Sequence, residues 1–359
     1  MQTSDFDYVL PPELIAQEPP AVRGSSRMMV LDRRTGALAH RRVADLPDFL
    51  QDGDLLVLND TQVFPARLLG RWADTGGAVE FLLLEREGTS DMQWRVLVGS
   101  GRRVRSGLRA VFGNGALTAN ILTRGEGGQA VIGFDLHEPL ELLLDRFGTT
   151  PLPPYIHRAA GDDARQHLDR ARYQTVYARN VGAVAAPTAG LHLTEAMLDQ
   201  IRSRGVTCAT VTLHVGIGTF RPVTSETVEG HRMDAERYTV PIETADAIRA
   251  CRARGGRVVA VGSTSVRTLE TVAAAHDGVI EACSGRSDLF IYPPYTFRVV
   301  NAMLTNFHLP RSTLLMMVAA FAGQTQALDA YAAAIHAGYR FFSYGDCMLI
   351  HGDPHDKAY

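Results

Sequence analysis

Apolar and polar positions change their rhythm along the chain, and each rhythm predicts a different kind of structure. An apolar run at 55–58 ends in Asn59, Asp60 and Thr61, the pattern of a buried strand followed by a polar turn. From about residue 70 to 147, short apolar runs, several of them alternating, are separated by Gly, Asn, Asp or Ser. This spacing predicts a small all-β unit, either a sandwich or a barrel.

Beyond about residue 155 the pattern becomes one of strands alternating with helices. Thr194 and Ser312 are suited to cap the helices that follow them, and Gly205 and Gly338 are suited to end helices. Predicted strands lie at 183–186, 206–215, 257–261, 299–304 and 339–350, and predicted helices at 194–205, 245–254, 266–275, 312–323 and 327–337. Alternation of this kind favours the α/β class with a mostly parallel sheet.

The two rhythms together predict a discontinuous domain organisation. Residues 1–68 and 150–359 form a large α/β domain, and residues 69–149 form a smaller all-β barrel inserted into it. The proline-rich stretch TTPLPPYI follows the insertion and is interpreted as a linker.

Composition restricts the setting of the protein. A hydrophobic content of 46% with 21% charged residues is ordinary for a globular enzyme. No apolar run is long enough to span a membrane, and the acidic N-terminus is unlike a signal peptide. The four cysteines have no disulfide or zinc spacing, so a cytoplasmic location without a membrane partner is expected; they are Cys208, Cys251, Cys283 and Cys347.

The basic residues are almost all arginine, because Lys357 is the single lysine. A P-loop and a Schiff base both need a sheltered lysine, so those classes are excluded. The net charge of −3 is not typical of a nucleic-acid-binding protein, so nucleic-acid binding would need a local basic patch. The candidate patches are Arg33, Arg34, Arg41 and Arg42; Arg102, Arg103, Arg105 and Arg109; and Arg165, Arg170, Arg172 and Arg179.

Three glycine-punctuated polar segments in the second half carry the strongest signal of chemistry. PTAGLHLT, LHVGIGTFRPV and LTNFHLPRST each follow an apolar run, so they are expected at the carboxyl ends of strands, where α/β sheets bind ligands. They contain His192, His214 and His308, which are candidate acid/base groups. The spacing of the histidines matches no zinc motif, so metal binding is not expected.

Other segments admit both a functional and a structural interpretation. GSTSVRTLE is a strand–turn–helix pattern whose helix start, with Arg267, could bind a carboxylate or phosphate or serve as a plain cap. The segment NDTQVFPAR carries Asn59, Asp60 and Arg67, and its Asp-Thr pair is also ordinary turn chemistry. Tyr344, in RFFSYGDCML, could stack on a base.

The chain resembles the S-adenosylmethionine:tRNA ribosyltransferase-isomerases of the queuosine pathway. The resemblance spans nearly the whole sequence, in the family's order. The matching segments are DFDYVLPPELIAQEPP, SRMMVLDR, GDLLVLNDTQVFPARL, YQTVYARNVGAVAAPTAGLHLT, LHVGIGTFRPV, VVAVGSTSVRTLE, SDLFIYPPYTFRVVNAMLTNFHLPRSTLLMMVAAFAG and YRFFSYGDCMLI.

The sequence departs from the family pattern at a few positions. The family's HxMHxE is HRMDAE here, so Asp234 replaces the second histidine, whose role is not carried over, while His231 and Glu236 remain. Ser263-Thr264-Ser265 replaces TTS and keeps the hydroxyl groups. The remaining departures are Thr61-Gln62-Val63 for TRV and Pro293-Pro294-Tyr295 for PGY.

The resemblance implies a reaction. Family members transfer the ribosyl part of S-adenosylmethionine to the aminomethyl group of 7-aminomethyl-7-deazaguanine in tRNA, giving epoxyqueuosine, adenine and methionine. S-adenosylmethionine is a co-substrate, with no true cofactor, and tRNA is the partner. A monomer with no obligate protein partner is expected.

The resemblance also assigns candidate residues. The acid/base candidates are His192, His214, His308 and Asp60. The substrate-binding candidates are Asn59, Arg67, Thr188, Gly190, Gly216, Gly218, Thr219, His231, Glu236, Gly262, Ser263, Thr264, Ser265, Arg267, Asn306, Tyr344 and Asp346. The tRNA-binding candidates are Arg102, Arg103 and Arg105. Asp60, Glu236 or Asp346 is expected near the positive sulfonium.

Two other classes of function remain open. One is a small-molecule α/β transferase that acts on a free nucleoside or sugar, and activity without tRNA would favour it. The other is a non-catalytic RNA-binding protein, which failure to release adenine from S-adenosylmethionine would favour. The dense His, Asn, Ser and Thr loops argue against the second.

Overall fold

The structure is a computed structural model that describes residues 1–88, 92–101, 103–158, 163–216, 218 and 223–352. Two candidates, Arg102 and Thr219, lie outside these residues. The strands are β1 (Arg27–Asp32), β2 (Leu38–Arg42), β3 (Leu55–Asn59), β4 (Thr61–Val63), β5 (Arg67–Trp72), β6 (Ala78–Arg86), β7 (Gln93–Ser100), β8 (Arg109–Phe112), β9 (Leu117–Arg124), β10 (Gln129–Asp135), β11 (Gly148–Thr149), β12 (Asn180–Ala183), β13 (Thr207–Leu213), β14 (Glu236–Val240), β15 (Val258–Val261), β16 (Cys283–Ser287), β17 (Ala302–Asn306) and β18 (Cys347–His351). The α-helices are α1 (Leu140–Phe147), α2 (Asp163–Arg172), α3 (Glu195–Ser203), α4 (Ile242–Ala253), α5 (Ser263–Ala275), α6 (Thr313–Ala322) and α7 (Gln324–His336).

A nine-stranded sheet forms the centre of the larger unit, in the order β16-β14-β13-β3-β15-β17-β18-β1-β2. The four neighbouring strands β13, β3, β15 and β17 are parallel, so their carboxyl ends meet at one edge. Antiparallel strands extend the sheet on both sides. The α/β prediction is confirmed, and the common edge is where ligands bind in this class.

Side chains of β3 alternate between the two faces of this sheet, and each face packs on helices. Leu55 and Val57 belong to a core that includes residues of α4, α5, α6 and α7. Leu56 and Leu58 belong to a second core with Leu198 and other residues of α3. Every residue of β3 is buried, as expected for a central strand covered on both sides.

The inserted unit is a closed antiparallel barrel. Its strands follow the order β5-β6-β7-β10-β9-β8, and an additional pairing of β5 with β8 closes the sheet on itself. Trp72, Phe81 and Phe112 fill the interior. The predicted all-β unit is confirmed as a barrel, although the sequence analysis did not predict α1, which packs Leu140, Leu143 and Leu144 onto the barrel core.

Local signals placed several element boundaries correctly. The Thr194 hydroxyl accepts the amide of Met197 at the start of α3, and the Ser312 hydroxyl accepts the amide of Leu315 at the start of α6. The predicted strand over 339–350 begins only at Cys347, because Phe342 has a positive φ of 69° and the chain turns before it.

Candidate active site

A crevice lies at the carboxyl edge of the central sheet. The segments that follow β13, β15 and β17 meet there with the segment after β12 and with residues 342–343. The crevice is lined by Tyr155, Ala186, Pro187, Thr188, Ala189, Val215, Gly262, Ser263, Thr264, Thr305, Asn306, Phe307, His308, Leu309, Ser312, Leu314, Phe342 and Ser343. Six of these residues were predicted as site residues: Thr188, Gly262, Ser263, Thr264, Asn306 and His308.

The start of α5 lies at this crevice. Gly262 has a φ of 86°, a conformation that favours glycine, and it turns the chain sharply from β15 into the helix. Ser263 and Thr264 line the crevice, and the first amides of a helix have no intrahelical acceptor. An anionic group of a ligand fits this position. Ser265, by contrast, is fully buried and its hydroxyl donates to the Val261 carbonyl at 2.8 Å, so it stabilises the turn.

His308 is held in the crevice wall by three contacts. Its Nε2 lies 2.8 Å from the Thr305 hydroxyl, its amide donates to the Tyr331 hydroxyl at 3.0 Å, and its carbonyl accepts from Tyr8. Burial lowers the pKa of His308 from 6.5 to about 3. The imidazole is therefore neutral at pH 7 and retains a lone pair that can accept a proton.

His192 lies behind Asn306. Its Nε2 is 3.2 Å from Asn306 Oδ1, while the Asn306 amide donates to the carbonyls of Phe342 and Ser343. Because an amide oxygen can only accept, Nε2 of His192 carries the hydrogen and Nδ1 is the basic nitrogen. Burial lowers the pKa of His192 to about 4, with a small opposing effect from the bond to Asn306.

Asn59 and Asp60 lie beneath the crevice as buried connectors. The Asn59 amide donates to the carbonyl of Leu213 at 3.0 Å and to the hydroxyl of Thr264 at 3.1 Å, linking β3 and β13 to α5. The Asp60 carboxylate accepts from the Thr212 hydroxyl at 2.6 Å and from the Asn180 amide at 3.0 Å. These bonds fix the relative positions of the strands that form the crevice.

A larger cleft of about 830 Å³ separates the barrel from the edge of the sheet. His214 lines it, with Phe64 and Trp94 from the barrel side, whose rings are 5.8 Å apart, and with Arg237 of β14. His214 Nδ1 is 2.8 Å from the Thr61 hydroxyl, which itself donates to the Asn180 carbonyl, so Nε2 is the basic nitrogen. Burial and the nearby Arg237 lower the pKa of His214, and Asp60 partly opposes them.

Glu236 and Arg267 form a buried ion pair between β14 and α5. The Glu236 carboxylate also accepts the amide of Gly216 at 2.6 Å. Burial lowers the pKa of Arg267 to about 10, so the guanidinium remains charged at pH 7. Arg267, one of the substrate-binding candidates, therefore pairs with Glu236 in this structure. Gly216, Gly218 and Glu236 line a depression that adjoins the larger cleft at His214.

Several predicted residues lie outside the crevice and have structural partners. Arg67 makes two hydrogen bonds to Glu80 within the barrel wall. The buried Tyr344 hydroxyl donates to Asp169 at 2.9 Å, so its ring is not available to stack on a base. Asp346 accepts the amides of Arg27 and Arg340 and pairs with Arg27.

Four further candidates are also placed away from the crevice lining. His231 packs its ring edge-on against Phe290 at 5.3 Å. Gly190 is buried against Tyr177, whose hydroxyl occupies the space that a Cβ would need. Arg103 and Arg105 follow β7, at the end of the barrel opposite to Trp94 in the cleft, because Trp94 is the second residue of this strand and Ser100 is its last.

The structure adds residues that the sequence analysis did not select. Tyr155, in the stretch interpreted as a linker, forms part of the crevice wall: its hydroxyl lies 2.6 Å from that of Ser343 and its ring 4.8 Å from that of Phe342. Thr305 and Thr61 orient His308 and His214. A tyrosine after prolines resembles an ordinary turn, so only the position of Tyr155 opposite residues 342–343 reveals its role.

Metal-binding clusters and membrane-spanning helices are both absent from the described residues. No group of three or more His, Cys, Asp or Glu side chains there is arranged to hold a metal ion. Among the same residues, no helix has the length and apolar character needed to cross a membrane. No Asp or Glu lines the crevice within the described part of the chain.

The chain is similar to a family of known proteins over nearly its whole length. Residues 3–350 match a family described as "Queuosine biosynthesis protein". The S-adenosylmethionine:tRNA ribosyltransferase-isomerase of Caldanaerobacter subterraneus is 53% identical over 350 residues, which cover 98% of this chain and 100% of the relative. Relatives of the same name from Moorella thermoacetica and Geobacter sulfurreducens are 52% and 51% identical, with the same coverage.

A solved structure supports the same assignment. The crystal structure of S-adenosylmethionine tRNA ribosyltransferase from Thermotoga maritima matches with a TM-score of 0.53 and 39% identity, over 97% of this chain and 100% of that one. The chain belongs to the queuosine biosynthesis family of S-adenosylmethionine:tRNA ribosyltransferase-isomerases, a family of transferases and isomerases. The family resemblance inferred from sequence is confirmed.

Proposed function

We propose that this chain transfers and isomerises the ribosyl moiety of S-adenosylmethionine onto the aminomethyl group of 7-aminomethyl-7-deazaguanine in tRNA. The products are epoxyqueuosine-tRNA, adenine and methionine. The observation that carries the proposal is the convergence of Thr188, Ser263, Thr264, Asn306 and His308 in one crevice beside a large cleft. The free thiols of all four cysteines fit a cytoplasmic enzyme.

The crevice suits the ribosyl donor. We assign the methionine carboxylate to the amides at the start of α5, with the hydroxyls of Ser263 and Thr264 as further donors. No described carboxylate lines the crevice, whereas the rings of Tyr155 and Phe342 do. We therefore assign the positive sulfonium to these aromatic faces rather than to Asp60, Glu236 or Asp346.

The cleft between the barrel and the sheet suits the acceptor base. Its volume of about 830 Å³ is within the range of small-molecule sites. A flipped-out base can stack on the Phe64 and Trp94 rings, with His214 beside it. Val215 lines the crevice and His214 lines the cleft, so this pair of adjacent residues connects the two spaces.

The proposed chemistry needs a base that is neutral at pH 7. The sulfonium acidifies the C5′ hydrogens, so a base takes one as a proton and adenine is expelled. The acceptor amine then adds to the sugar, which rearranges to an epoxycyclopentanediol as methionine departs. His192, His214 and His308 all have lowered pKa values and can accept a proton, and Asp60 is the fourth candidate.

The test mixes purified protein, S-adenosylmethionine and tRNA bearing the 7-aminomethyl-7-deazaguanine base. Chromatography follows adenine and methionine, and mass spectrometry follows the digested nucleoside. Equal release of both products with the epoxide-containing nucleoside supports the proposal. Activity on the free base without tRNA, or release without tRNA modification, would overturn it.

Alanine variants test the acid/base assignment separately. We expect single-turnover rates of His192→Ala, His214→Ala, His308→Ala and Asp60→Ala to include at least one loss of about 100-fold or more. The exposed His167 of α2 provides the control, and His167→Ala should match the wild type. Near wild-type rates in all four variants would eliminate these residues as the acid/base groups.

A further inference from the structure

A basic depression lies at the same edge of the large sheet as the crevice. Register fixes its position: Asn306 of β17 pairs with Cys347 of β18, the next residue pair joins Cys347 to Met28 of β1, and Met28 pairs with Arg41 of β2. Arg41 therefore lies in one row with the crevice residue Asn306. Three strand spacings separate them, or about 14 Å.

The depression combines several cationic and aromatic side chains. It is lined by Arg27, His40, Arg41, Arg42, Asp45, Ala337 and Tyr339. Arg27 lies over the Tyr339 ring at 4.0 Å and is paired with Asp346. The guanidinium of Arg27 also donates to the carbonyls of Ala337 and Gly338. Because these bonds hold Arg27 in place, it forms a rigid floor of the depression.

Arg41 and Arg42 carry charge that no described carboxylate neutralises. The exposed Arg41 guanidinium donates to the carbonyl of His40, and that of Arg42 donates to the carbonyl of Ser25 at 3.2 Å. The one carboxylate in the depression, Asp45, accepts the backbone amide of Arg42. A guanidinium bound only to a carbonyl keeps its full charge and spare donors for a phosphate.

We propose that this depression binds backbone phosphates of the substrate tRNA when the modified base occupies the site, an inference that rests on the proposed function. Phosphate contacts position a nucleic acid without reading its sequence, and arginines supply them most often. From β3, which borders the cleft side of the crevice, five strand spacings lead to β2, or about 24 Å. A stem-loop anchored in the cleft can extend along this edge to Arg41.

The same hairpin contains a matched control. Arg34 is exposed in the turn between β1 and β2, at the opposite edge of the sheet from Arg41. The two residues share side-chain type, hairpin and exposure, and they differ in their distance from the crevice. A variant of Arg34 therefore removes the same charge without touching the proposed surface.

The experiment measures binding of tRNA bearing the 7-aminomethyl-7-deazaguanine base to the full chain, without S-adenosylmethionine, by fluorescence anisotropy across a range of salt concentrations. The variants are Arg41→Ala, Arg41→Lys, Arg34→Ala and the double variant Arg41→Ala/Arg42→Ala. For the double variant we expect Kd to rise at least about tenfold and the log–log salt slope to fall by about 1.5. Arg41→Lys should retain most of the binding that Arg41→Ala loses, and Arg34→Ala should match the wild type in both Kd and salt slope.

The outcomes separate this inference from the proposed function. If the double variant binds tRNA with wild-type affinity and salt slope, or if Arg34→Ala loses as much affinity, the proposed tRNA-binding surface is wrong. The enzymatic proposal is unaffected by either result. If the wild type binds tRNA but does not modify it, the proposed function fails, and the salt slopes still report on the depression. Thermal unfolding of each variant confirms that the hairpin is folded.

Discussion

The barrel and the crevice differ in whether their polar side chains are exposed or buried. In the barrel the interior is apolar, and charged pairs such as Arg67–Glu80 lie in the wall with 42% and 35% of their side chains exposed. Around the crevice, Asn59 and Asn306 are essentially fully buried, and His308 is 9% exposed. The barrel is built as an ordinary stable core, whereas the crevice buries groups that need specific partners.

Burial of polar groups is costly unless each is hydrogen-bonded, so the crevice must specify its geometry closely. Asn306 illustrates this, because its amide is held by two carbonyls while its oxygen orients His192. Preorganisation is therefore concentrated at the sheet edge. Substitutions there should be more damaging than similar substitutions in the barrel.

The largest effect is expected from breaking the buried ion pair. Arg267→Met leaves the carboxylate of Glu236 buried without its cation, which costs about 3–5 kcal/mol of unfolding free energy. Urea unfolding followed by circular dichroism measures the loss. The double variant Arg267→Met/Glu236→Leu should recover much of the lost unfolding free energy. A loss below about 1 kcal/mol in the single variant would contradict the contrast between the sheet edge and the barrel.

Acid should weaken the crevice side selectively. The pKa of His192 falls from 6.5 to about 4 on folding, so the unfolded chain binds a proton more readily. The free energy of unfolding keeps its full value with respect to this group above pH 6.5. It decreases as the pH falls towards 4, by about 3 kcal/mol. His192→Gln should flatten the dependence of urea midpoints on pH over this window. The exposed control His167→Gln should leave the dependence as steep as in the wild type.

A moderate effect is expected where the barrel closes. Gly70 of β5 pairs with Phe112 of β8, and a Cβ at this position would collide with the Phe112 ring and the Val111 carbonyl. Gly70→Ala should therefore cost about 1–3 kcal/mol, as overpacking does. Gly101→Ala is the control, since among the described residues no atom beyond its chain neighbours lies within 4 Å of the added Cβ. Equal unfolding midpoints for the two variants would argue against this account of closure.

The smallest effect is expected from the barrel's ion pair. Arg67→Ala should cost about 0.2–1 kcal/mol, because water and salt screen a half-exposed pair. Urea unfolding at low and high salt should show the difference shrinking as salt rises. If Arg67→Ala instead abolishes tRNA modification without loss of stability, the substrate-binding role predicted from sequence applies to this residue.

Most of the architecture and part of the site were predictable from the amino-acid sequence. Thr194 and Ser312 mark helix starts by local hydrogen bonds that any chain can form, so their positions were readable. Thr188, Ser263 and His308 were selected because polar residues after buried strands indicate a ligand edge. Tyr155 was missed, because its neighbours along the chain are prolines and its neighbours in space are residues 342–343.

The division follows from the range of the interactions. The periodicity of strands and helices, the helix caps, the family and the polar loops were readable along the chain, because these features depend on residues a few positions apart. Folding is what pairs Arg267 with Glu236, closes β5 on β8 and brings Arg41 into register with Asn306. These contacts join distant segments through sheet register and packing, which no local pattern encodes.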